Sequence, residues 1–236
     1  MIHVKNGFPS YGQKVGILVF DGESPRVPGD AGHASTFQYP VCYEVISGNF
    51  MSLVQKNTKT EAQLMKTVMN LRNKRGIVAF AGDCGLMSLY QRQMGVAGGL
   101  AVASSLCQIP MIWQMIGRIG KIGVITGHSE FLKAEHLSES GCDGIPVLIY
   151  GMEEMPNFKD TVIEGGTCLN TELIEKEICS VAKRMVKENP DMKAIVLECS
   201  NLATYSRAIA IEIGIPVFDL ISAMNMMEYA VNPPMY

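Results

Sequence analysis

Residues Ala194 to Ser206 read AIVLECSNLATYS. Ala194 to Leu197 is an apolar run of the kind that forms a buried strand, and Glu198-Cys199-Ser200-Asn201 interrupts it before Leu202 to Ile213 resumes with helical character. A cysteine therefore stands at a strand-to-helix turn. In an open parallel sheet such turns present side chains and unpaired helix N-terminal N–H groups to a ligand. The stretch has an echo in GIVAFAGDCGLMS, Gly76 to Ser88, which repeats the order of apolar strand, acidic residue, cysteine and small or polar residues opening a helix. Cys84 and Cys199 occupy matching places.

The remaining landmarks are also duplicated. KVGILVF, Lys14 to Phe20, reads as a first buried strand ending at Asp21, and KIGVITG begins the same pattern at Lys121. Tyr43 to Ser47 and Val147 to Tyr150 read as the second strand of each half. Thr58 to Glu61 has capping-box spacing for a helix running to about Lys74. Ser129 to Ser140 reads as a helix, and Glu153 to Gly166 as polar and irregular. Thr171 to Glu188 is strongly amphipathic, with Ile174, Ile178, Val181 and Met185 on one face. IPVFDL at Ile215 to Leu220 answers IPMIWQ at Ile109 to Gln114, predicting a short strand near Met111 to Trp113, and Asp219 is placed to cap a final helix through Tyr229. This order predicts an α/β protein of two pseudosymmetric parallel-sheet lobes with the active site in the cleft between them. Residues 1–117 form the lobe carrying Cys84 and residues 118–236 the lobe carrying Cys199, with the final helix free to pack back on the first.

Composition narrows the class. With 236 residues, 47% of them hydrophobic, the chain has enough apolar material for a sizeable core. A net charge of −3 with scattered Lys and Arg argues against a nucleic-acid partner. The seven cysteines contain no C-x-x-C pair, and an odd count without a signal peptide points to reduced thiols in the cytoplasm. Residues 93–117 carry no formal charge, yet Gln108, Pro110, Gln114 and three glycines divide them, so no membrane span is expected. The methionine-rich C-terminal region leaves room for a homodimer. No Walker loop, Rossmann glycine motif or histidine-rich cluster appears, so neither a cofactor nor a metal is expected.

Five of the seven cysteines read as small buried hydrophobes. Cys84 and Cys199 differ, because they break apolar strands and precede helices whose dipoles favour a thiolate. Two thiols on opposite faces of a bound carbon can remove a proton from one face and return it to the other. A thiol with an ordinary pKa of about 8.5 is suited to either role near neutrality. The enolate-like charge formed beside a carboxylate needs donors, for which the N–H groups of Gly85 and Ser200 and the side chains of Ser200 and Asn201 are candidates. Asp83 and Glu198 each precede a cysteine and are read as orienting groups, since a neighbouring carboxylate raises a thiol pKa. Arg26, in the Gly- and Pro-rich stretch of residues 21–40, offers two readings: a bidentate partner for a substrate carboxylate, or a loop arginine that faces solvent or pairs with a neighbour such as Asp30. His33 reads as polar surface, and His128 lies nearer the strand end of the second half.

The segments GILVFDG, GDCG, GVITG and LECSN together resemble the aspartate/glutamate racemase superfamily of cofactor-independent enzymes, over nearly the whole chain. The resemblance implies two α/β lobes enclosing the substrate, with Cys84 and Cys199 as opposed acid and base. It places Asp21 and Gly22 at the end of the first strand, Thr126 as a substrate-contacting threonine and Ser200 as a carboxylate-binding hydroxyl. The candidate substrate-binding set is then Asp21, Gly22, Arg26, Asp83, Gly85, Thr126, Ser200 and Asn201. Glutamate racemases have Asn-Thr after the first cysteine and Thr-His after the second, where this chain has Gly85-Leu86 and Ser200-Asn201. The PRVPGDAGHASTF loop is similar to that of a less characterised racemase-like branch. The expected activity is racemisation or epimerisation of a small amino acid or related carboxylate. The alternatives are a dicarboxylate cis-trans isomerase or decarboxylase using one cysteine, and a non-catalytic carboxylate-binding protein.

Overall fold

Each half of the chain folds around a four-stranded parallel sheet in the computed structural model, which describes residues 7–22, 24–48 and 50–235. The first half contains β1 (Val15–Phe20), β2 (Val41–Ile46), α1 (Thr58–Arg75), β3 (Ala79–Gly82), α2 (Gln91–Gly98), β4 (Leu100–Val102) and α3 (Ile109–Met115). The second contains β5 (Lys121–Thr126), α4 (Ala134–Glu139), β6 (Val147–Gly151), α5 (Pro156–Phe158), α6 (Thr171–Glu188), β7 (Met192–Leu197), α7 (Ser206–Ile213), β8 (Val217–Phe218) and α8 (Leu220–Val231). The strand orders are β2-β1-β3-β4 and β6-β5-β7-β8, so the two sheets share one topology. The inner strands are covered on both faces, which is why VGILVF and AIVL read as continuous apolar runs.

The long helices begin and end where local chemistry dictates. Asn57 caps α1 through the N–H groups of Lys59 and Thr60, one residue before the expected start, and Gly76 closes the helix with φ of 68°. Asn170 caps α6, which buries the predicted Ile174, Ile178, Val181 and Met185. Asp219 forms a reciprocal capping box with Ser222 at the start of α8.

Four segments depart from the sequence expectation. IPMIWQ is not a strand but helix α3, which Pro110 opens because a first-turn residue needs no N–H. The strand that answers β8 is Leu100–Val102, concealed in the small-residue run GGLAVASS. The segment from Ser129 begins as a tight turn at Ser129–Phe131, and α4 starts only at Ala134. The irregular stretch after Glu153 contains α5 and a wide π-helical turn at Lys159–Ile163.

The last helix of the chain crosses to the first sheet. Leu220, Ala223, Met224 and Met227 of α8 share a core with Val15, Ile17, Ala79 and Ala81 of that sheet. Ile109 and Ile112 of α3 belong to a cluster that spans both sheets, with Leu18 and Phe80 of the first and Val124 and Val196 of the second. Gln108 ties the starts of the two helices together, donating to the Asp219 carbonyl at 2.7 Å and accepting from Ser222 at 3.2 Å. This packing holds the C-terminal strand ends of both sheets against one cleft. Among the described residues, no helix is long and apolar enough to cross a membrane.

Candidate active site

Both cysteines sit where a central strand stops and a helical segment begins. β3 ends at Gly82, and Cys84 precedes a 3-10 turn at Gly85–Tyr90 that runs into α2. β7 ends at Leu197, and Cys199 precedes a 3-10 turn at Ser200–Tyr205 that runs into α7. The two residues have similar extended backbones, with φ/ψ of −114°/131° at Cys84 and −76°/127° at Cys199. Both line one cavity of about 280 Å³ between the lobes. Asp21, Gly22, Arg26, Asp83, Gly85, Thr126, Ser200 and Asn201 line it too, so the structure brings every candidate site residue to one place.

The first cysteine turn is wired through the 21–40 loop. Arg26 grips Asp83 with two bonds, Nη1 to Oδ1 at 2.9 Å and Nη2 to Oδ2 at 2.6 Å, and reaches Asp30 Oδ1 at 2.7 Å. The Arg26–Asp30 pairing read from sequence is therefore present, with Asp83 as a second partner. Asp30 Oδ2 accepts from the Asn201 amide at 2.8 Å, linking this loop to the second cysteine turn. Ser24 donates to the Thr161 carbonyl at 3.2 Å and Thr204 to the Pro28 carbonyl at 3.3 Å, so the loop straps the lobes together. Gly29, with φ of 104°, lies so close to Thr204 that a Cβ would collide with it. Burial opposes the charge on Arg26, but Asp83 and Asp30 outweigh it and raise the pKa further. Burial likewise raises the Asp83 pKa against the pull of Arg26 and of the Ser200 hydroxyl.

Among the described residues, the second turn has no such counter-ion. Glu198 is 4% exposed, and its Oε2 accepts from Thr126 Oγ1 at 2.7 Å. Its Oε1 has no hydrogen-bond partner. That oxygen lies against Gly85 of the other lobe, where any Cβ would overlap the carboxylate, so glycine is required by the close approach. Burial raises the Glu198 pKa to about 7, with the Thr126 hydroxyl and the Gly127 N–H opposing the rise. Sequence reasoning treated Glu198 only as an orienting group. The signal for more was available: no Lys or Arg lies between Lys193 and Arg207 to neutralise a carboxylate at the end of a buried strand.

Both thiols are pushed toward the protonated form. Burial raises the Cys84 pKa most, Glu198 adds to it, and the Leu86 N–H and Arg26 work the other way. Burial raises the Cys199 pKa well above the ordinary thiol value, with Glu198 and Cys84 adding to the effect and the Asn201 N–H opposing it. Cys199 Sγ also faces Asn201 Oδ1 at 3.5 Å. The Thr126 hydroxyl is occupied by Glu198, and the Asn201 side chain bridges Asp30 and Cys199. These groups tie down the two cysteine turns, and Gly85 and Ser200 open the two 3-10 turns at the cavity.

Apolar walls come from residues that sequence reasoning did not nominate, chiefly Phe20, Leu86, Phe131, Val162 and Ile163. His128 also lines the cavity and stacks on Phe131 with ring centroids 4.1 Å apart. His33, by contrast, caps the short 3-10 turn at Ala34–Thr36 and lies outside the cavity lining. Among the described residues, no three His, Cys, Asp or Glu side chains converge as a metal site would require.

The comparisons with known proteins separate fold from sequence. No family model matches the chain. It is 27% identical over 232 residues to a dimethylsulfoniopropionate lyase of Durusdinium sp. clade D, covering 94% of this chain and 76% of that protein. It is 26% identical over 225 residues to dimethylsulfoniopropionate lyase 3 of Emiliania huxleyi, covering 90% of this chain and 58% of that protein. The chain thus spans less than two thirds of the Emiliania relative. Among solved structures, unliganded arylmalonate decarboxylase superposes with a TM-score of 0.62 at 14% identity, covering 94% of each chain. A glutamate racemase from Bacillus anthracis superposes with a TM-score of 0.59 at 14% identity, covering 93% of this chain and 83% of that one. The fold is the one that these solved structures share.

Proposed function

We propose that this chain is a cofactor-independent enzyme that removes the proton next to the carboxylate of a small acid held between Cys84 and Cys199, and that loss of a β-substituent follows. The observation that carries the reading is the convergence of two matched cysteine turns, one from each lobe, on one 280 Å³ cavity that Phe20, Leu86, Phe131, Gly85 and Ser200 also line. Proton removal at such a carbon is the step that elimination and racemisation share. The similarity to dimethylsulfoniopropionate lyases over 94% of the chain favours elimination.

In that reaction a thiolate takes the α-proton and the electron pair of the broken C–H bond forms the Cα=Cβ double bond. The Cβ–S bond breaks with its pair going to sulfur. A sulfonium leaves as a neutral sulfide, the acid becomes an acrylate, and the thiol returns its proton to water. A neutral leaving group needs no proton from the protein, so one thiol suffices for the chemistry. The N–H groups of Gly85 and Ser200 stabilise the charge that develops on the substrate carboxylate. Substrate binding brings the electrostatic change that lets a buried thiol ionise. A reducing compartment such as the cytoplasm suits this chemistry, since all seven cysteines are free.

The test is incubation with dimethylsulfoniopropionate in deuterated water, following acrylate and dimethyl sulfide and, by NMR, deuterium at the α-carbon of recovered substrate. Acrylate formation supports the lyase reading. A folded protein that yields neither acrylate nor α-deuterium, with this acid or with amino acids, overturns it. Racemisation or epimerisation is the second reading, favoured by the placement of a thiol on each side of the cleft. It predicts α-deuterium without acrylate, and inversion of a chiral amino acid.

A further inference from the structure

Both cysteines are pushed toward the protonated form, and elimination leaves one proton in the cleft at every turnover. The carboxylates that line the cavity are poorly placed to carry it away. Asp83 is gripped by Arg26, Glu198 is tied to Thr126 at one oxygen and packed against Gly85 at the other, and Asp21 stands exposed at the rim. His128 is placed differently. It follows Gly127 at the end of β5, and Cys199 Sγ lies 3.7 Å from the point where a Cβ on Gly127 would stand. The histidine therefore comes directly after the backbone against which this thiol packs.

Three features set His128 apart from the other described histidines. Its ring stacks on Phe131, and its carbonyl accepts from the Phe131 N–H at 3.1 Å, so one tight turn holds both rings. Its Nδ1 has no hydrogen-bond partner among the described residues, whereas the ring nitrogens of His136 are engaged by the Lys133 N–H and the Leu53 carbonyl at 3.0 Å each, and His33 caps its own turn. His128 also stands in two hollows at once: the cleft cavity, and an adjoining one of about 320 Å³ lined by Ser129, Glu130, Glu153, Glu154 and Lys159. Burial raises the Glu153 pKa, but the Ser129 hydroxyl, the N–H groups of Glu153 and Ser129, and the attraction of His128 together hold it below the ordinary carboxylate value.

We propose that His128 is the proton relay of the site: its imidazole takes the proton of the Cys199 thiol and passes it to water in the hollow beside Glu153. This rests on the reading of Cys199 as an acid/base thiol and deepens it by naming the group that recharges it. In the transfer the S–H bond breaks with its electron pair staying on sulfur, and an N–H bond forms on the ring. The imidazolium then gives that proton to water, which leaves a thiolate and a neutral imidazole for the next substrate. The charged groups that line the two hollows suit a transient cation: Glu130, Glu153 and Glu154 outside and Asp21 and Glu198 within, against Lys159 and an Arg26 already paired with Asp83.

The test is alkylation of the full chain by iodoacetamide, which reacts with thiolate, followed separately at Cys199 and Cys84 by mass spectrometry. His128→Gln keeps a polar side chain that cannot take up a proton. It is expected to slow labelling of Cys199 about tenfold or more, with Cys84 staying within about twofold of its wild-type rate. A Cys199 rate that is unchanged or faster, an equal fall at both thiols, or a wild-type Cys199 that resists the reagent overturns the proposal. Should His128→Gln fail to fold, His128→Asn is read in the same way. Where acrylate is formed from dimethylsulfoniopropionate, His128→Gln is also expected to lower kcat about tenfold or more with KM within about twofold, and added imidazole to restore the rate of His128→Ala. A rise in KM with kcat unchanged would make His128 a binding group and overturn the relay. Slowed Cys199 labelling in a protein that forms no acrylate would sink the lyase reading and leave the relay standing. Acrylate formation with Cys199 labelling untouched by His128→Gln would do the reverse.

Discussion

At the end of β3, Asp83 meets a guanidinium through two hydrogen bonds, whereas at the end of β7 Glu198 meets a threonine hydroxyl and a glycine. The backbone plan is the same in both places: parallel strand, carboxylate, cysteine, 3-10 turn, helix. The electrostatics differ because the Arg26 loop inserted after β1 reaches the first turn, while in the second half the chain passes directly from β5 through Thr126 to a tight turn. Duplication of a fold thus supplied two equivalent positions for a thiol, and a single loop made them inequivalent. One turn is strapped, its carboxylate gripped by a guanidinium, and the other retains a buried carboxylate without such a partner among the described residues.

The largest effect expected from disturbing this pair lies in the thiols themselves. Replacing the cysteine that takes the α-proton with alanine should lower turnover by roughly 10²–10⁴-fold, the usual contribution of a positioned acid or base. Assayed separately, Cys84→Ala and Cys199→Ala should show one dominant loss if the reaction is elimination. Comparable losses at both positions would favour two-base inversion, and full activity in both variants would remove the cysteines from the mechanism.

Next in size is the ion pair that distinguishes the first turn. Arg26→Met leaves Asp83 and Asp30 buried beside each other without their shared cation, and is expected to cost roughly 3–5 kcal/mol of folding stability, read by urea denaturation. A loss below about 1 kcal/mol would mean that the pair behaves like a solvent-exposed one.

The second turn predicts a pH dependence of defined sign. Glu198 is raised from 4.5 in the unfolded chain to about 7 in the folded one, so the folded state binds its proton more tightly. The resulting stabilisation is fully present below pH 4.5 and is lost as pH rises through about 7. It amounts to about 3 kcal/mol at 1.36 kcal/mol per pKa unit. Denaturation midpoints measured across this window should fall with rising pH in the wild-type protein. Glu198→Gln should flatten that slope, and an unchanged slope in the variant would place the titration elsewhere. The smallest expected effect is that of Thr126→Val, which removes the one side-chain donor to Glu198 and is expected to cost about 1–2 kcal/mol, with a further upward shift of the Glu198 pKa seen in the same pH series.

Much of the fold that carries this contrast was legible in the sequence. The apolar runs at Val15–Phe20 and Ala194–Leu197 announce central strands because burial on both faces excludes polar residues. The α6 face at Ile174, Ile178, Val181 and Met185 was readable because a 3.6-residue period leaves a plain signature. Leu100–Val102 escaped notice because a three-residue edge strand among glycines and alanines leaves little periodicity to detect. Ile109–Met115 was misread because β-branched apolar residues beside a proline suit a strand end as well as a first helical turn. At the site, the cysteines stood out by interrupting apolar runs, whereas Phe20, Phe131 and Val162 look like any other apolar residues until folding turns them toward the cavity.

The amino-acid sequence by itself determined the duplicated α/β order, the strand-end placement of Cys84 and Cys199, and the lack of a nearby basic residue around Glu198. These are local properties, set by hydrophobic period, capping chemistry and the identity of chain neighbours. Only the tertiary structure decided that Arg26 belongs to Asp83 as well as Asp30, that Asn201 answers Asp30 across the cleft, and that Glu198 Oε1 faces Gly85 with no donor. Those pairings join residues from 57 to 171 positions apart, and such partners are chosen by how two sheets pack rather than by any spacing along the chain.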